Sequence, residues 1–377
     1  MKRTYPVILA ILIALWRPVP PAEAVGVSAA SAVLYEPRTG TVLYEKDCHT
    51  PRPMASTTKL MTALIAAETG EWERTVTVTA EMAAVEGTAL GLRAGDTLTL
   101  RDAVAGMLIV SGNDAANAVA LTLADSLPAF AERMNRKAAE LGMTDSRFVT
   151  PSGLDGEGHA ASAYDMALLA AAVLQDPTLA AICAAQRETL HISGRSVTVT
   201  NHNRLLSTYE GAVGMKTGFT KKAGRCLVSA ATREGVTLIA VTLNDGDDWR
   251  DHAALLDYGF SKVKRLELPP VSLPLMSVTG GERGEAVLSV PPAPDQILLS
   301  DQPGEVTVTL RLPPFLFAPV KKGDRVGEAI YSVDGVALPP LPVTAAADVA
   351  ARPVTSGMDR FRRNLRLLWA GLFGIST

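Results

Sequence analysis

Ser56-Thr57-Thr58-Lys59-Leu60-Met61-Thr62-Ala63-Leu64-Ile65-Ala66-Ala67-Glu68-Thr69 has apolar side chains at helical spacing, so a helix is expected over residues 57–69 with a serine at its start. Upstream of it, Ala32–Glu36 and Thr41–Lys46 form an expected β-hairpin around Arg38-Thr39-Gly40. Downstream come further helical patterns at Arg101–Val110, Asp114–Asp125, Pro128–Leu141 and Ala163–Leu174. The texture turns to β between residues 187 and 244, with strands expected at Val197–Thr200, Arg225–Ala231 and Val236–Asn244. The last two are joined by the turn Arg233-Glu234-Gly235, and a helix from Asp248 to Tyr258 follows, with Gly259 as its stop. Strands at both ends of a helical middle imply an α+β domain whose terminal strands share one sheet.

The chain has 377 residues, enough for two domains or slightly more. Hydrophobic residues make up 47% and charged residues 20%, the balance of a core-forming protein and the reverse of a disordered one. Aromatics are only 5%, so the core must rest on Ala, Leu and Val. With 36 basic and 39 acidic residues the formal net charge is −3, which offers no general footprint for nucleic acid. Cysteines at 48, 183 and 226 have no paired spacing and are read as small hydrophobes, neither a zinc site nor a disulfide framework.

The two ends speak of location. Lys2 and Arg3 precede an apolar stretch from Val7 to Trp16 and a small-residue cleavage site at Ala22-Glu23-Ala24, so residues 1–24 are read as an export signal peptide. The stretch is too short to stay in a bilayer as a spanning helix. At the other end Leu365, Leu368, Leu372 and Ile375 recur at helical spacing, flanked by Met358, Phe361 and Trp369, with Arg360, Arg363 and Arg366 opposite. Residues 358–377 are therefore read as an amphipathic helix lying on an anionic membrane surface. Residues 346–357, within an Ala/Pro/Val/Thr-rich approach, serve as linker. Between residues 265 and 345, short Val/Leu-rich runs at Val287–Val290, Gln296–Leu299, Val306–Leu312 and Ala329–Val333 imply a small all-β domain, leaving residues 25–264 as the α+β domain. The protein is placed outside the cytoplasm, at the outer face of the membrane.

Three short patterns carry chemistry. In Ser56-Thr57-Thr58-Lys59 the helical spacing puts serine and lysine on one face a turn apart. A serine hydroxyl needs a base, and a lysine is one only where burial or a nearby cation lowers its pKa. Chance alone supplies about one such pair in a chain of this size, and Ser261-Lys262-Val263-Lys264 is a second. An ordinary N-cap explains Ser56 as well. Ser111-Gly112-Asn113 stands before the helix beginning near Asp114, where loop and capping residues are common, and Lys216-Thr217-Gly218 reads as a turn leading to the strand near Arg225. Lys and Thr can also bind a carboxylate, and Gly allows a close backbone approach.

The three occur together and in the order S-x-x-K, S-D-N, K-T-G of penicillin-binding proteins and class A β-lactamases, with Gly112 in place of Asp. The chain resembles the low-molecular-mass penicillin-binding proteins of the serine D-alanyl-D-alanine carboxypeptidase family. The likeness extends to Pro53-Met54-Ala55, Leu92-Arg93-Ala94-Gly95-Asp96, Asp114-Ala115, Pro151-Ser152-Gly153-Leu154-Asp155, the stretch from Gly158-His159 to Tyr164-Asp165, and Met215 to Thr220. It implies a β-lactamase/transpeptidase-like domain, an antiparallel sheet with a helical region, followed by the small β domain and the amphipathic tail. It implies that Ser56 attacks the carbonyl between the terminal D-alanines of a peptidoglycan stem peptide, with Lys59 as base. Ser111 would relay a proton to the departing D-alanine. Asn113, Lys216 and Thr217 would bind substrate, the last two at its carboxylate. No metal or organic cofactor is implied; β-lactams would acylate Ser56.

His159, in a Gly-rich loop, is read as structural; Arg250 resembles the family's arginine near the substrate carboxylate, but a solvated first turn of a helix explains it nearly as well, and it stands outside the catalytic set. Phe219 stands where some relatives have a small or polar residue, which would bear on substrate preference. A β-lactamase is the nearest rival, but no glutamate followed four residues on by asparagine lies between Ser111 and Lys216. Transpeptidase or endopeptidase action shares the motifs. A non-catalytic wall-binding protein would be expected to have lost Ser56, Lys59 or Lys216.

Overall fold

The computed structural model describes residues 25–293, 296–298 and 305–353, and residues 357, 358, 361, 362, 364–366 and 368. The expected leader at 1–24 and most of the expected tail lie outside the described residues. Those that are described between 357 and 368 are helical, and Met358, Phe361, Leu365 and Leu368 are exposed.

Two compact units partition the chain. The first is built on a sheet of five strands: β1 (Ser31–Glu36), β2 (Thr41–Lys46), β3 (Ala212–Thr220), β4 (Gly224–Arg233) and β5 (Val236–Asp245), in the order β2-β1-β5-β4-β3. The expected sharing of one sheet by terminal strands is found in the antiparallel pairing of β1 with β5, Ser31 opposite Leu243 through Tyr35 opposite Ile239. All six residues of β1 are buried, as in a strand covered on both faces.

The helical part comprises α1 (Lys59–Ala67), α2 (Leu100–Ile109), α3 (Asn113–Leu123), α4 (Leu127–Glu140), α5 (Ala163–Gln175) and α6 (Pro177–Ala184), and α7 (Asp248–Lys262) follows the sheet. Side chains of Thr99, Ser126 and Ser162 cap α2, α4 and α5 by accepting the N–H of the third residue on, each satisfying an otherwise orphaned donor. All nine residues of α1 are buried, so this helix runs through the core instead of lying on it. The core around it is mainly Ala, Leu, Met and Val, with Phe130 and Phe148.

Sequence and structure part at several points. α1 begins only at Lys59, because residues 55–58 form a 3-10 turn. α7 continues past Gly259 to Lys262, since a glycine ends a helix only where it takes the left-handed conformation, and Gly259 is helical. α6 was not anticipated: Asp176 closes α5, and its side chain accepts the Leu179 N–H (2.8 Å), with Pro177 as first residue of α6. Lys216-Thr217-Gly218 lies inside β3 and is no turn.

The second unit takes Glu36–Thr41, Thr232–Leu238 and the chain from Gly259 onward. Its largest sheet orders Leu288–Ser289, Leu341–Ala345, Arg325–Val333 and Val306–Arg311. Met276, Leu288, Ala329 and Val343 form one small apolar cluster, and Val278, Ala286, Val320, Ala345 and Val349 another. Of the expected strand Val287–Val290 only Leu288–Ser289 is strand; exposed Val287 separates it from Glu285–Ala286, which pairs with a different partner.

Candidate active site

Ser56 sits in the 3-10 turn Ala55–Thr58 that opens into α1. The turn is braced by Thr57, whose hydroxyl donates to the Met54 carbonyl (2.6 Å). Ala55 holds φ at +48°, a left-handed conformation costly for a residue with a Cβ and sustained by its burial. Two glycines let other segments close on this turn. A Cβ on Gly153, whose φ is +85°, would fall 1.9 Å from the Ala55 carbonyl oxygen, and one on Gly218 would fall 3.1 Å from the Ser56 nitrogen. Gly218 belongs to β3, so the edge strand of the sheet passes directly beside Ser56.

Lys59, wholly buried, places Nζ 2.8 Å from Ser56 Oγ, 2.7 Å from Asn113 Oδ1 and 2.6 Å from the Ser152 carbonyl oxygen. Burial holds its pKa well below 10.5; the Lys216 ammonium lowers it further and the Asp114 carboxylate opposes them. As an ammonium, Lys59 donates to all three oxygens. Asn113 Oδ1 and Ser152 O are carbonyl oxygens that can only accept, so once the amine is neutral they take its two hydrogens. The lone pair is left facing Ser56 Oγ, which alone of the three can donate. A lysine held so is ready to receive a proton from serine.

Ser111 and Asn113 stand at the start of α3. Ser111 is buried with φ at +64°, a second strained residue at the site. Asn113 Nδ2 donates to the Glu86 carbonyl (2.7 Å) while Oδ1 accepts from Lys59, so both ends of the amide are engaged. Lys216, in β3, is also buried, and its Nζ donates to the Thr217 carbonyl (2.9 Å). Burial lowers its pKa to about 7, the Cys183 thiol opposing. Thr217 is half-buried and Phe219 is 66% exposed on the same strand. Hydrogen bonds thus join Ser56, Lys59 and Asn113 directly; Ser111 lies two residues before Asn113 and Thr217 between Lys216 and Gly218, without a direct bond to Ser56 among those described.

His159 is part of the frame. The Val149 N–H donates to Nδ1 (2.9 Å), so the proton is on Nε2, 3.0 Å from the Thr58 hydroxyl. Burial lowers its pKa to about 4, which keeps the ring neutral. Arg250 is 82% exposed with Asp247 at 3.8 Å. Cys48, Cys183 and Cys226 are buried free thiols. Two contributors escaped the sequence reading as site residues. Ser152 acts through a backbone carbonyl, which any residue possesses, and Asp114 is named only as a helix start and within a stretch resembling the family, with no role attached.

The family model described as D-alanyl-D-alanine carboxypeptidase, peptidase S11, matches residues 19–247. The chain is similar to the D-alanyl-D-alanine carboxypeptidase DacF of Bacillus subtilis, 31% identical over 333 residues, which are 85% of this chain and 86% of the relative. It is equally similar to DacC of Escherichia coli, 31% identical over 346 residues, with 87% and 86% covered. Among solved structures, the carboxypeptidase DacD from Francisella tularensis superposes with a TM-score of 0.61 at 26% identity, covering 89% of this chain and 96% of that one. The carboxypeptidase of Mycobacterium tuberculosis H37Rv gives 0.61 at 33% identity over 64% of this chain and 96% of its own. A match spanning the sheet, the buried helix and all three motifs makes this chain a member of the D-alanyl-D-alanine carboxypeptidase family.

Proposed function

We infer that the chain is a serine-type D-alanyl-D-alanine carboxypeptidase that removes the terminal D-alanine of peptidoglycan pentapeptides and binds penicillin. The observation that carries this is Lys59 Nζ, buried, 2.8 Å from Ser56 Oγ with the Asn113 Oδ1 and Ser152 carbonyl oxygens as its other partners. Ser56 Oγ passes its proton to Lys59 Nζ as it bonds to the carbonyl carbon between the two D-alanines. The C–N bond breaks, the proton reaches the departing amine through Ser111, and the peptide remains as an ester on Ser56. Water then attacks the ester with Lys59 again taking the proton, and Ser56 Oγ leaves with it restored. Asn113 orients Lys59 through Oδ1 and keeps a second Nδ2 hydrogen for the substrate amide. Lys216, while protonated, and Thr217 hold the terminal carboxylate. A β-lactam takes the same route to an acyl-Ser56.

Release of D-alanine from a short Lys-D-Ala-D-Ala peptide tests this, with Ser56→Ala beside it. Release that vanishes in the variant is expected; release that persists sinks the assignment.

The layout around this domain belongs to the same proposal. Residues 1–24 direct export, 265–345 form a separate β domain, 346–357 link it, and 358–377 lie along the outer face of the cytoplasmic membrane. The exposure of Met358, Phe361, Leu365 and Leu368 at helical positions supports the last point. Deleting residues 358–377 should abolish cosedimentation with anionic vesicles and leave D-alanine release intact; unchanged cosedimentation overturns the anchor.

A further inference from the structure

We propose that Asp114 is a positioning residue for this reaction: its carboxylate clamps the backbone of Leu90–Leu92 onto the Ser111-Gly112-Asn113 turn and thereby holds Asn113 against Lys59. The inference rests on the assignment of Ser56 as nucleophile and Lys59 as base. Asp114 is buried, and Oδ1 accepts the Leu90 N–H (2.7 Å) while Oδ2 accepts those of Gly91 (2.8 Å) and Leu92 (2.9 Å). Residues 84–93 form no helix or strand, so these donors have no ladder of their own. With the Ala115 N–H also donating to Oδ1 (2.8 Å), four backbone N–H groups, three of them from the strap, meet one carboxylate in charge-assisted bonds, stronger than their neutral counterparts.

The other end of the same segment is tied to Asn113. The Asn113 N–H donates to the Thr88 carbonyl (2.8 Å), and Nδ2 donates to that of Glu86 (2.7 Å). The strap 86–92 is therefore fastened at two adjacent residues of α3, and its position sets the amide plane whose Oδ1 faces Lys59. The fit leaves no room at the turn. A Cβ on Gly112 would lie 2.9 Å from the Leu90 nitrogen and 2.8 Å from Asp114 Oδ1. The clamp thus accounts for the glycine at the middle of this motif, where an aspartate would meet both the strap and a second carboxylate.

Asp114 also acts on Lys59 through its charge. The groups whose fields reach Lys59 are Asp114 from α3 and Lys216 from β3, with the Cys183 thiol and the His202 ring in turn facing Lys216. Asp114 favours the protonated amine, opposing burial and Lys216. Removing that charge lets Lys59 stay neutral to lower pH, so the acidic limb of the rate profile moves down.

The test measures D-alanine release against pH for the full chain, for Asp114→Asn, Asp114→Glu and Gly112→Ala, and for Ser56→Ala, with thermal midpoints of each. Asp114→Asn should lower kcat by about 10- to 100-fold through the misplaced amide, with the acidic limb displaced downward by roughly half a pH unit or more. Asp114→Glu and Gly112→Ala keep the charge and disturb the strap, so kcat should fall with the limb unmoved. An Asp114→Asn profile that superimposes on the parent, or one that loses rate with no displacement, overturns the proposal. Where Asp114→Asn fails to fold, the other two decide: undiminished kcat in both overturns the clamp, and lowered kcat at a parental midpoint upholds it. Activity surviving in Ser56→Ala instead overturns the nucleophile assignment, which separates the two failures.

Discussion

Serine and lysine three residues apart occur twice in this chain, at Ser56–Lys59 and at Ser261–Lys264, in opposite surroundings. The first pair straddles a 3-10 turn and the N-terminus of a helix buried on every side, and its lysine is fully removed from water. The second begins in the last turn of α7, with Ser261 exposed, and ends on a short strand where Lys264 is exposed too. At a helix C-terminus the dipole is negative and does nothing for an oxyanion. Residue type and spacing are equal in the two; burial, helix end and partners are not. Reactivity comes from the segments that close on the pair, and α1 supplies only its frame.

The largest effect that can test this contrast is at the serines. Ser56→Ala should lower kcat/KM for D-alanine release by a factor of about 10³ or more, and a retained rate would remove the distinction altogether. Next is Asn113→Ala, which leaves the Ser56–Lys59 pair intact but strips one of the two carbonyl acceptors that orient the amine. A loss of about 10- to 100-fold in kcat is expected; an unaffected kcat would mean that spacing and burial suffice.

A smaller effect follows from the protonation of the two buried lysines. In the proposed mechanism Lys59 must be neutral to act, so the rate should fall as pH drops through its lowered pKa. Lys216, with a pKa lowered to about 7, must be charged to hold a carboxylate, so KM should climb by several-fold as pH rises beyond about 7. The folded state binds fewer protons here than the unfolded chain between pH 7 and an ordinary lysine value, so stability should rise with pH across that window. Lys216→Met should flatten both trends. Urea midpoints and KM measured from pH 6 to 10 check this, and parallel slopes in parent and variant would contradict it. The smallest effect closes the contrast: Ser261→Ala and Lys264→Met should leave kcat/KM within about twofold of the parent.

Much of the fold was legible because periodicity and capping agree with it. The hairpin at 31–46, α2, α4 and α5 stand within a residue or so of their expected bounds, and the pairing of β1 with β5 follows from strands at both ends of a helical middle. β3 was hidden because glycines at 214 and 218 interrupt its alternation. α6 is missed because the helical pattern is ended at Leu174, and the eight residues Pro177–Ala184 beyond the break at Asp176 are assigned to no element. At the site, Ser56, Lys59, Ser111, Asn113, Lys216 and Thr217 were all named from motifs. Their convergence was legible only through resemblance, since no local pattern says that residues 54 and 93 positions away meet Lys59. The Ser152 carbonyl left no side-chain trace, and the role of Asp114 depends on a strap whose approach is a tertiary fact.

The partners of Lys59 are drawn from residues 56, 113 and 152, and its cationic neighbour from residue 216. The sheet that carries Lys216 reaches its full order only when β5, ending at Asp245, lies against β1. During synthesis and folding, then, Ser56 and Lys59 spend most of their time as an ordinary alcohol and a hydrated ammonium ion. The proposed nucleophile is assembled by contacts distant in the chain, each of which must meet its loop-closure entropy before it forms. An incompletely folded molecule is thereby a chemically quiet one: the capacity to form an acyl-enzyme, with substrate or with a β-lactam, reports that the first unit has been completed.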